Sequence, residues 1–408
     1  MSKWEWKKLG EVCDSINGLW KGKKEPFIKI GVIRNTNFTK NCRLDMNPSK
    51  LEFLDVEKKQ YDKRKLLFGD LIVEKSGGSE KQPVGRVVLF EEKEGEYSFS
   101  NFTSVLRIKN DDEIECHFLH LQLYKLYLDG VTKQMQSATT GIHNLDFDQF
   151  KDLSIGIPPL SEQKRIVKFL DEEFSKIETL KTNAETNLKN VKDLFKVELL
   201  KEFSTTLWEK KKLGEVYNFI DYRGVTPNKL KEGIPLITAK NVRMGYIDYS
   251  VRDFISESDY KKRQSRGIAH KGDILFTTEA PLGFSAIADL DVFSTGQRVI
   301  VFQQFKNEKN ICNPFFNWCF QSIEFQRMIK ENATGLTATG IKASRLKEIK
   351  IPLPPLSVQK EIVARLDKLF ENVKRLEANY KQIIANCDEL KKSILKKTFE
   401  GDSRSSRE

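Results

Sequence analysis

Two stretches of the chain place apolar residues at alternating spacings of four and three. In the first, Leu170, Phe174 and Ile177 are followed by Ala184, Leu188, Val191 and Phe195. In the second, Leu366, Phe370 and Val373 are followed by Tyr380, Ile384, Cys387 and Ile394. Such a stripe is the seam of a coiled coil. No Pro or Gly interrupts 161–203 or 357–400, Gly401 supplies a stop signal, and Ser161 and Ser357 are placed to cap the helix starts. About 43 residues at a rise of 1.5 Å give helices of roughly 65 Å. A lone helix of this kind would leave its stripe in water, so the two stripes are expected to pack on each other. An antiparallel arrangement would put the intervening globular parts at opposite ends of a rod and let the rod set their spacing.

The remainder is β-rich in short runs separated by Gly and Asn turns. Leu71-Ile72-Val73 and 85–90 are such runs, and 233–237 and 298–302 match them later in the chain. Helices are expected over 118–128 and 314–330. The similarity goes further than texture. Residues 158–174, PPLSEQKRIVKFLDEEF, return at 354–370 as PPLSVQKEIVARLDKLF at a constant offset, with most positions identical. Lys8-Leu9-Gly10-Glu11-Val12 returns at 212–216, Gly69-Asp70-Leu71-Ile72 at 272–275, Phe99-Ser100 at 293–294, and Thr140-Gly141-Ile142 at 339–341. Ordered repetition of this kind is a tandem duplication with a pseudo-twofold internal repeat. The fold class expected is α+β: two globular mixed α/β domains, 1–156 and 208–350, separated by two long helices, 157–207 and 351–401, forming an antiparallel coiled coil, with a tail at 402–408.

Charge narrows the function. Lys and Arg outnumber Asp and Glu by 69 to 58, for a net charge of +11. A basic chain of this kind suits a polyanionic partner. The excess is uneven: 1–156 carries 25 basic and 24 acidic residues, whereas 208–350 carries 23 and 16. The start of the chain is polar, no apolar run reaches the ~18 residues that span a membrane, and the six cysteines are scattered without a C-x-x-C pair. The expectation is a cytoplasmic protein with reduced thiols and no membrane partner.

Sequence signatures of catalysis are weak. Asn313-Pro314-Phe315-Phe316 resembles the tetrad of adenine methyltransferases, but no glycine-rich cofactor loop precedes it. Gly69-Asp70 with Glu74 and Lys75 lacks the spacing of a magnesium-dependent nuclease, and the second copy at Gly272-Asp273 has no lysine in place. Cys116, His117 and His120 lie within about one helical turn and lack a fourth ligand, a poor zinc site. Gly77-Gly78-Ser79 is not a Walker loop. The expectation is therefore no catalytic residue, no metal and no cofactor on this chain.

Candidate DNA contacts come in matched sets. Basic clusters follow a tyrosine in both halves: Lys63, Arg64 and Lys65 after Tyr61, and Lys261, Lys262, Arg263 and Arg266 after Tyr260. They suit phosphates, which orient without specifying sequence. Forked amides and guanidinium groups on loops suit base edges. These are Arg34 and Asn35, paired with Lys240 and Asn241, and Asn101, paired with Gln297 and Arg298. The Thr-Gly-Ile loops add Thr139, Thr140 and His143, and Thr337, Thr339 and Lys342.

The order domain, helix, domain, helix, with Pro-Pro-Leu-Ser-x-Gln opening each helix, resembles the specificity subunits of type I restriction-modification systems. Lys-Leu-Gly-Glu-Val at the head of each half, the Gly-Asp-Ile-Leu turn, and Ser-Ile-Leu-Lys-Lys-Thr-Phe-Glu-Gly at 393–401 extend the resemblance over essentially the whole chain. It implies two target recognition domains, each reading half of a bipartite site in double-stranded DNA. It also implies helices that dock two methyltransferase subunits using S-adenosylmethionine, and two restriction subunits using ATP and Mg. The near-neutral first domain departs from that expectation. A coiled-coil adaptor without DNA specificity, and a nuclease or methyltransferase acting alone, are the competing readings.

Overall fold

The computed structural model describes residues 4–80, 82–139, 142–204, 208–224, 226–335 and 339–400. The chain divides into two compact units, Met1–Asn183 with Ile383–Glu408, and Ala184–Gln382. Both long helices, Leu160–Phe203 and Leu356–Glu400, contribute to each unit.

In the first unit a four-stranded antiparallel sheet runs in the order Cys13–Asn17, Thr103–Ile108, Leu71–Glu74, Val87–Leu89. Leu71, Ile72 and Val73 are all buried, because the sheet is covered on both faces. A second sheet sets Glu52–Glu57 antiparallel to Phe27–Ile33, which runs parallel to Tyr97–Phe99. Glu5–Lys8 pairs with Ser154–Ile157, closing the domain where the long helix begins. The second unit repeats this order strand for strand. Its large sheet is Tyr217–Asp221, Val299–Gln304, Ile274–Thr278, Leu282–Ile287. Its small sheet is Phe254–Ile255, Ile234–Ile237, Ser294–Thr295, and Lys210–Lys212 pairs with Lys350–Pro352.

Three of the repeated sequence motifs have a structural job. Lys-Leu-Gly-Glu-Val is a one-turn helix in which the Lys8 N–H donates to Glu11 at 2.9 Å and the Lys212 N–H to Glu215 at 3.0 Å. Gly69 and Gly272 turn at φ +89° and +92°, a region that favours glycine. The aspartate that follows each then accepts from the backbone: Asp70 from the Leu67 N–H and Asp273 from the His270 N–H, both at 2.8 Å. Asp70 also holds Arg107.

The helix starts differ from the sequence expectation. Both helices begin one residue earlier, at Leu160 and Leu356, so Ser161 and Ser357 lie inside the first turn. The glutamine of the motif fixes the start instead. Gln163 is fully buried, accepts from the Glu115 N–H and donates to the carbonyls of Glu113 and Pro158, each at 2.8 Å. Gln359 repeats the clamp, accepting from the Cys312 N–H at 2.9 Å and donating to Asn310 and Pro354 at 2.8 Å. The helix expected over 314–330 is two helices, Asn313–Gln321 and Ile323–Asn332. Ser322 ends the first and caps the second by accepting from the Phe325 N–H.

The helices pair antiparallel within each unit. In the first, Glu178 meets Lys391 and Lys181 meets Asp388, so one number rises as the other falls. Leu170 and Phe174 pack there with Leu395, Phe399 and Phe118. In the second, Phe195 lies 5.3 Å from Phe370 between ring centres, and Glu202 meets Arg365. Leu199 and Phe203 join Ile362 and Leu366 in the core of that unit.

Candidate nucleic-acid interface

Four loops meet in each unit. In the first, the parallel strands Phe27–Ile33 and Tyr97–Phe99 end side by side, and the Ser100 N–H donates to Ile33 at 2.8 Å. The Lys75 N–H donates to Phe102, and the Leu145 N–H to Lys75, bringing in the loop after Leu71–Glu74 and the hairpin Gln136–Thr139/Ile142–Leu145. The Asn35 amide also donates to the Ser76 carbonyl, and the Ser76 hydroxyl to Asn144 at 2.6 Å. The second unit has the same links: Gly296 to Ile237, Thr278 to Arg298, and Ile341 to Thr278.

These links give the true correspondence between halves and correct the sequence pairing. Gly296 stands where Ser100 does, so Asn101 matches Gln297, as expected. Phe99-Ser100 and Phe293-Ser294, however, are two residues out of step. Ile341 matches Leu145, so the two Thr-Gly-Ile sequences are not structurally equivalent. Arg34 matches Thr238, and the residue matching Asn241 is Asn37 rather than Asn35. Asn37 accepts from the Arg34 N–H at 2.9 Å and donates to Asp45 and Lys50. Asn241 accepts from the Thr238 N–H at 2.9 Å and donates to Asp248 and Val251.

Two candidates are thereby withdrawn from the DNA surface. Asn241 is 1% exposed, and its amide is used on both sides to build the turn. Arg263 is 3% exposed: it donates to the Ser294 hydroxyl and the Thr295 carbonyl and lies 4.3 Å from the centre of the Tyr222 ring. It holds a helix to the small sheet. Arg64 and Arg266 are matched tethers. Arg64 donates to the Asn17 carbonyl at 3.1 Å and to Gln60, and Arg266 donates to the carbonyls of Arg223 and Asp221.

Of the other described candidates, Arg34, Asn101, His143, Lys240, Gln297, Arg298, Thr339 and Lys342 sit on the loops or beside them, whereas Lys65, paired with Glu96 at 3.5 Å, and Lys261, beside Gly233 and Ile234, lie at the starting ends of the small-sheet strands. Arg34 is partly exposed and paired with Glu52, and Arg298 is exposed and paired with Glu279 at 2.9 Å. Gln297 donates to Thr226, and His143 is half-buried in its hairpin. Asn101, Lys240, Thr339 and Lys342 are exposed, as are Lys63, Lys65, Lys261 and Lys262. Thr140 and Thr337 lie outside the described residues, as does the side chain of Thr139.

Sequence reasoning missed one loop altogether. Trp20 is 71% exposed and is followed by the exposed Lys21, Lys23 and Lys24. The loop is pinned from behind: Glu57 accepts from the N–H groups of Lys23 and Lys24, and its own N–H donates to Lys21. Gly22, at φ +73°, lies so close to the Glu57 side chain that a Cβ would collide with it. An aromatic residue followed by interleaved lysines and glycine was the available signal.

The groups considered for catalysis are occupied structurally. Asn313 donates to the Gly272 carbonyl and accepts from the Tyr217 hydroxyl, while Phe315 and Phe316 are fully buried. His120 does not join Cys116 and His117, because its ring is directed at the carbonyls of Cys42 and Val87. Glu115 joins them instead, caps its helix through the Phe118 N–H at 2.6 Å, and lies 2.7 Å from His117 Nδ1. Hydrogen bonds to the Cys116 sulfur, to Glu115 and to Glu91 push His117 up to about 11, against the opposing effect of burial. Among the described residues no helix is long and apolar enough to cross a membrane.

The fold is thus that of a duplicated α+β protein in which each unit brings four loops together, with amides and guanidinium groups on or beside them. Residues 1–190 and 206–385 match the type I restriction modification DNA specificity domain family. The chain is 27% identical over 398 residues to a Methanocaldococcus jannaschii protein provisionally named the MjaX type I restriction enzyme specificity subunit, covering 92% of this chain and 89% of that one. It is 26% identical over 364 residues to the EcoKI specificity subunit of Escherichia coli K12, covering 84% and 76%. A chain from a structure describing complex assembly and conformational transition of the type I R-M system superposes with a TM-score of 0.77 at 20% identity, covering 98% of both. The chain belongs to the type I restriction-modification DNA specificity family, and its function is sequence-specific DNA recognition rather than that of a coiled-coil adaptor.

Proposed function

We propose that each unit reads one half of a bipartite site in double-stranded DNA through its four convergent loops, and that the chain performs no chemistry on the DNA itself. The observation that carries this reading is the matching order of the large and small sheets in both units, with the same main-chain links between the loops at their ends; among the described residues, the three-stranded sheet of Ser76–Gly78, Gln136–Thr139 and Ile142–Leu145 is confined to the first unit, where the second has isolated bridges at Gly340. Two copies of one platform suit two half-sites, and different side chains on matched loops suit different sequences. In the first unit these are Arg34, Asn35, Asn101 and His143; in the second they are Lys240, Gln297, Arg298, Thr339 and Lys342. Lys63 and Lys65, and Lys261 and Lys262, supply phosphate contacts, with Arg64 and Arg266 beside them.

Catalysis belongs to partners: two methyltransferase subunits that use S-adenosylmethionine to methylate adenine, and two restriction subunits that use ATP and Mg to cleave. Exposed apolar residues on the long helices offer docking surface in each unit. Phe169, Leu180 and Leu390 do so in the first, and Leu194, Val197 and Leu376 in the second. The complex works in the cytoplasm, where the host's DNA lies.

The test is methylome sequencing of cells carrying the wild-type gene, a deletion, and a chain in which 208–350 is replaced by the corresponding domain of a relative. A split adenine motif should vanish on deletion and change in one half only on replacement. An unchanged methylome, or simultaneous change of both halves, overturns the reading.

A further inference from the structure

The Trp20 loop borders a cleft of about 610 Å³ in the first unit. Its aliphatic lining is the partly buried Leu19 and Leu54, backed by the buried Val32 and Val56. Trp20 and Phe102, 71% and 47% exposed, form an aromatic rim. Arg34, Asn35 and Asn101, three of the residues placed on the recognition loops above, line the same cleft. Its wall also contains two polar atoms without a hydrogen-bond partner, Asn35 Oδ1 and Ser100 Oγ.

This combination is unusual for a DNA-reading surface. Lys21, Lys23 and Lys24 continue from the rim and complement a phosphate backbone, yet the hollow beside them is apolar. The edges of base pairs in the major groove are hydrogen-bond donors and acceptors with one apolar exception, the C5-methyl group of thymine. An apolar hollow flanked by amides and a guanidinium group fits a thymine methyl bordered by polar base edges. The near-neutral charge of this domain agrees: where phosphate attraction is weak, burial of apolar surface supplies a larger share of the affinity.

We infer that the apolar part of this cleft, between Leu19, Leu54 and the Trp20–Phe102 rim, is a thymine-methyl subsite of the first recognition unit, the rest of the cleft taking the polar base edges beside it. The inference rests on the reading that these loops face DNA. The experiment uses the chain assembled with its methyltransferase subunits and duplexes bearing its motif. Each thymine of the half-site read by 1–156 is replaced in turn by deoxyuridine, which removes only the methyl. At one or two positions binding should weaken roughly three- to fivefold, the effect of burying one methyl. Trp20→Ala should erase the thymine–uracil difference there and leave any difference in the other half-site intact. Equal affinity for thymine and uracil throughout the first half-site overturns the inference, as does a Trp20→Ala complex that weakens both duplexes alike. A first half-site without a T·A pair overturns it outright. In each of these cases motif DNA still binds in preference to unrelated DNA; loss of that preference in the wild-type complex would sink the parent reading instead.

Discussion

Replacing Arg263 with Ala and replacing Lys261 and Lys262 with Ala should have opposite consequences, although the three residues are adjacent. Arg263 is buried, and its Nε donates to Ser294 Oγ at 3.0 Å and its Nη2 to the Thr295 carbonyl at 2.5 Å. Hydrogen bonds from a charged donor contribute roughly 1.5–3 kcal/mol each, and a desolvated cation over a ring adds about 2 kcal/mol. Burial of the charge opposes these gains, and the same desolvation lowers the guanidinium pKa. A net loss of about 3 kcal/mol on truncation follows. For a unit of this size that lowers its melting temperature by roughly 6–12 °C. Lys261 and Lys262 are exposed, and the ion pair of Lys261 with Glu257 joins two side chains that are 69% and 73% exposed. Solvent screens such a pair almost completely, so the double lysine variant should melt with wild type. In the assembled complex, however, the slope of log K against log salt should flatten by about 1.8 for two lost phosphate contacts. Calorimetry of the full chain and DNA titration at several salt concentrations measure both. An Arg263→Ala protein that melts with wild type but has a flattened slope would refute the assignment, as would an unaltered slope in the lysine variant.

Gln359→Leu removes three buried hydrogen bonds and leaves an N–H and two carbonyls without partners, so urea unfolding should show a loss of about 2–4 kcal/mol; Gln163→Leu should match it, and a cost under ~0.5 kcal/mol for either would refute the clamp. Glu74 holds Arg86 through two bonds of 2.7 and 2.8 Å with both side chains buried, so Glu74→Gln should cost about 3 kcal/mol by stranding the guanidinium charge, a reading that an unchanged urea midpoint would contradict. His117 is raised from 6.5 to about 11 by Cys116, Glu115 and Glu91. Its stabilising effect is therefore complete below pH 6.5 and declines as pH rises towards 11. The melting temperature of wild type should fall relative to His117→Gln between pH 7 and 10, and parallel curves would show that the imidazolium contributes nothing.

The long helices were legible in the sequence because a stripe such as Leu170, Phe174 and Ile177 has a period that only a helix satisfies. The duplication was legible for the same reason that it matters: the repeated residues occupy turns and joints that tolerate little change. What failed was register within the loops. Asn35 and Asn241 looked equivalent because each follows a basic residue after a strand, but the asparagine that builds the turn is Asn37. The bond it accepts from the Arg34 N–H and those it donates to Asp45 and Lys50 distinguish it from Asn35. Thr-Gly-Ile misled in the same way, since short polar strings recur by chance and carry no periodicity. Arg263 read as surface because Lys261, Lys262 and Arg266 surround it, while its partners at 294 and 295 are distant in sequence. Trp20 escaped because the aromatic–lysine–glycine string that it opens has no counterpart in the second half, and its exposure depends on how Glu57 ties back the loop.

The glutamine clamps have a consequence for how such a chain can be rebuilt. Each grips main-chain atoms only: one N–H and two carbonyls, supplied by the segment ahead of a helix and by the proline pair. A joint made to backbone is indifferent to the side chains of the reader mounted on it. Crossing the chain over between the two Pro-Pro-Leu-Ser-x-Gln blocks, or grafting in a foreign reader that ends in the same block, would reconstitute the same three bonds. An incoming domain must still match the apolar contacts that Phe118 makes with Leu170 and that Trp318 makes with Phe370, but the clamp itself needs no re-optimising.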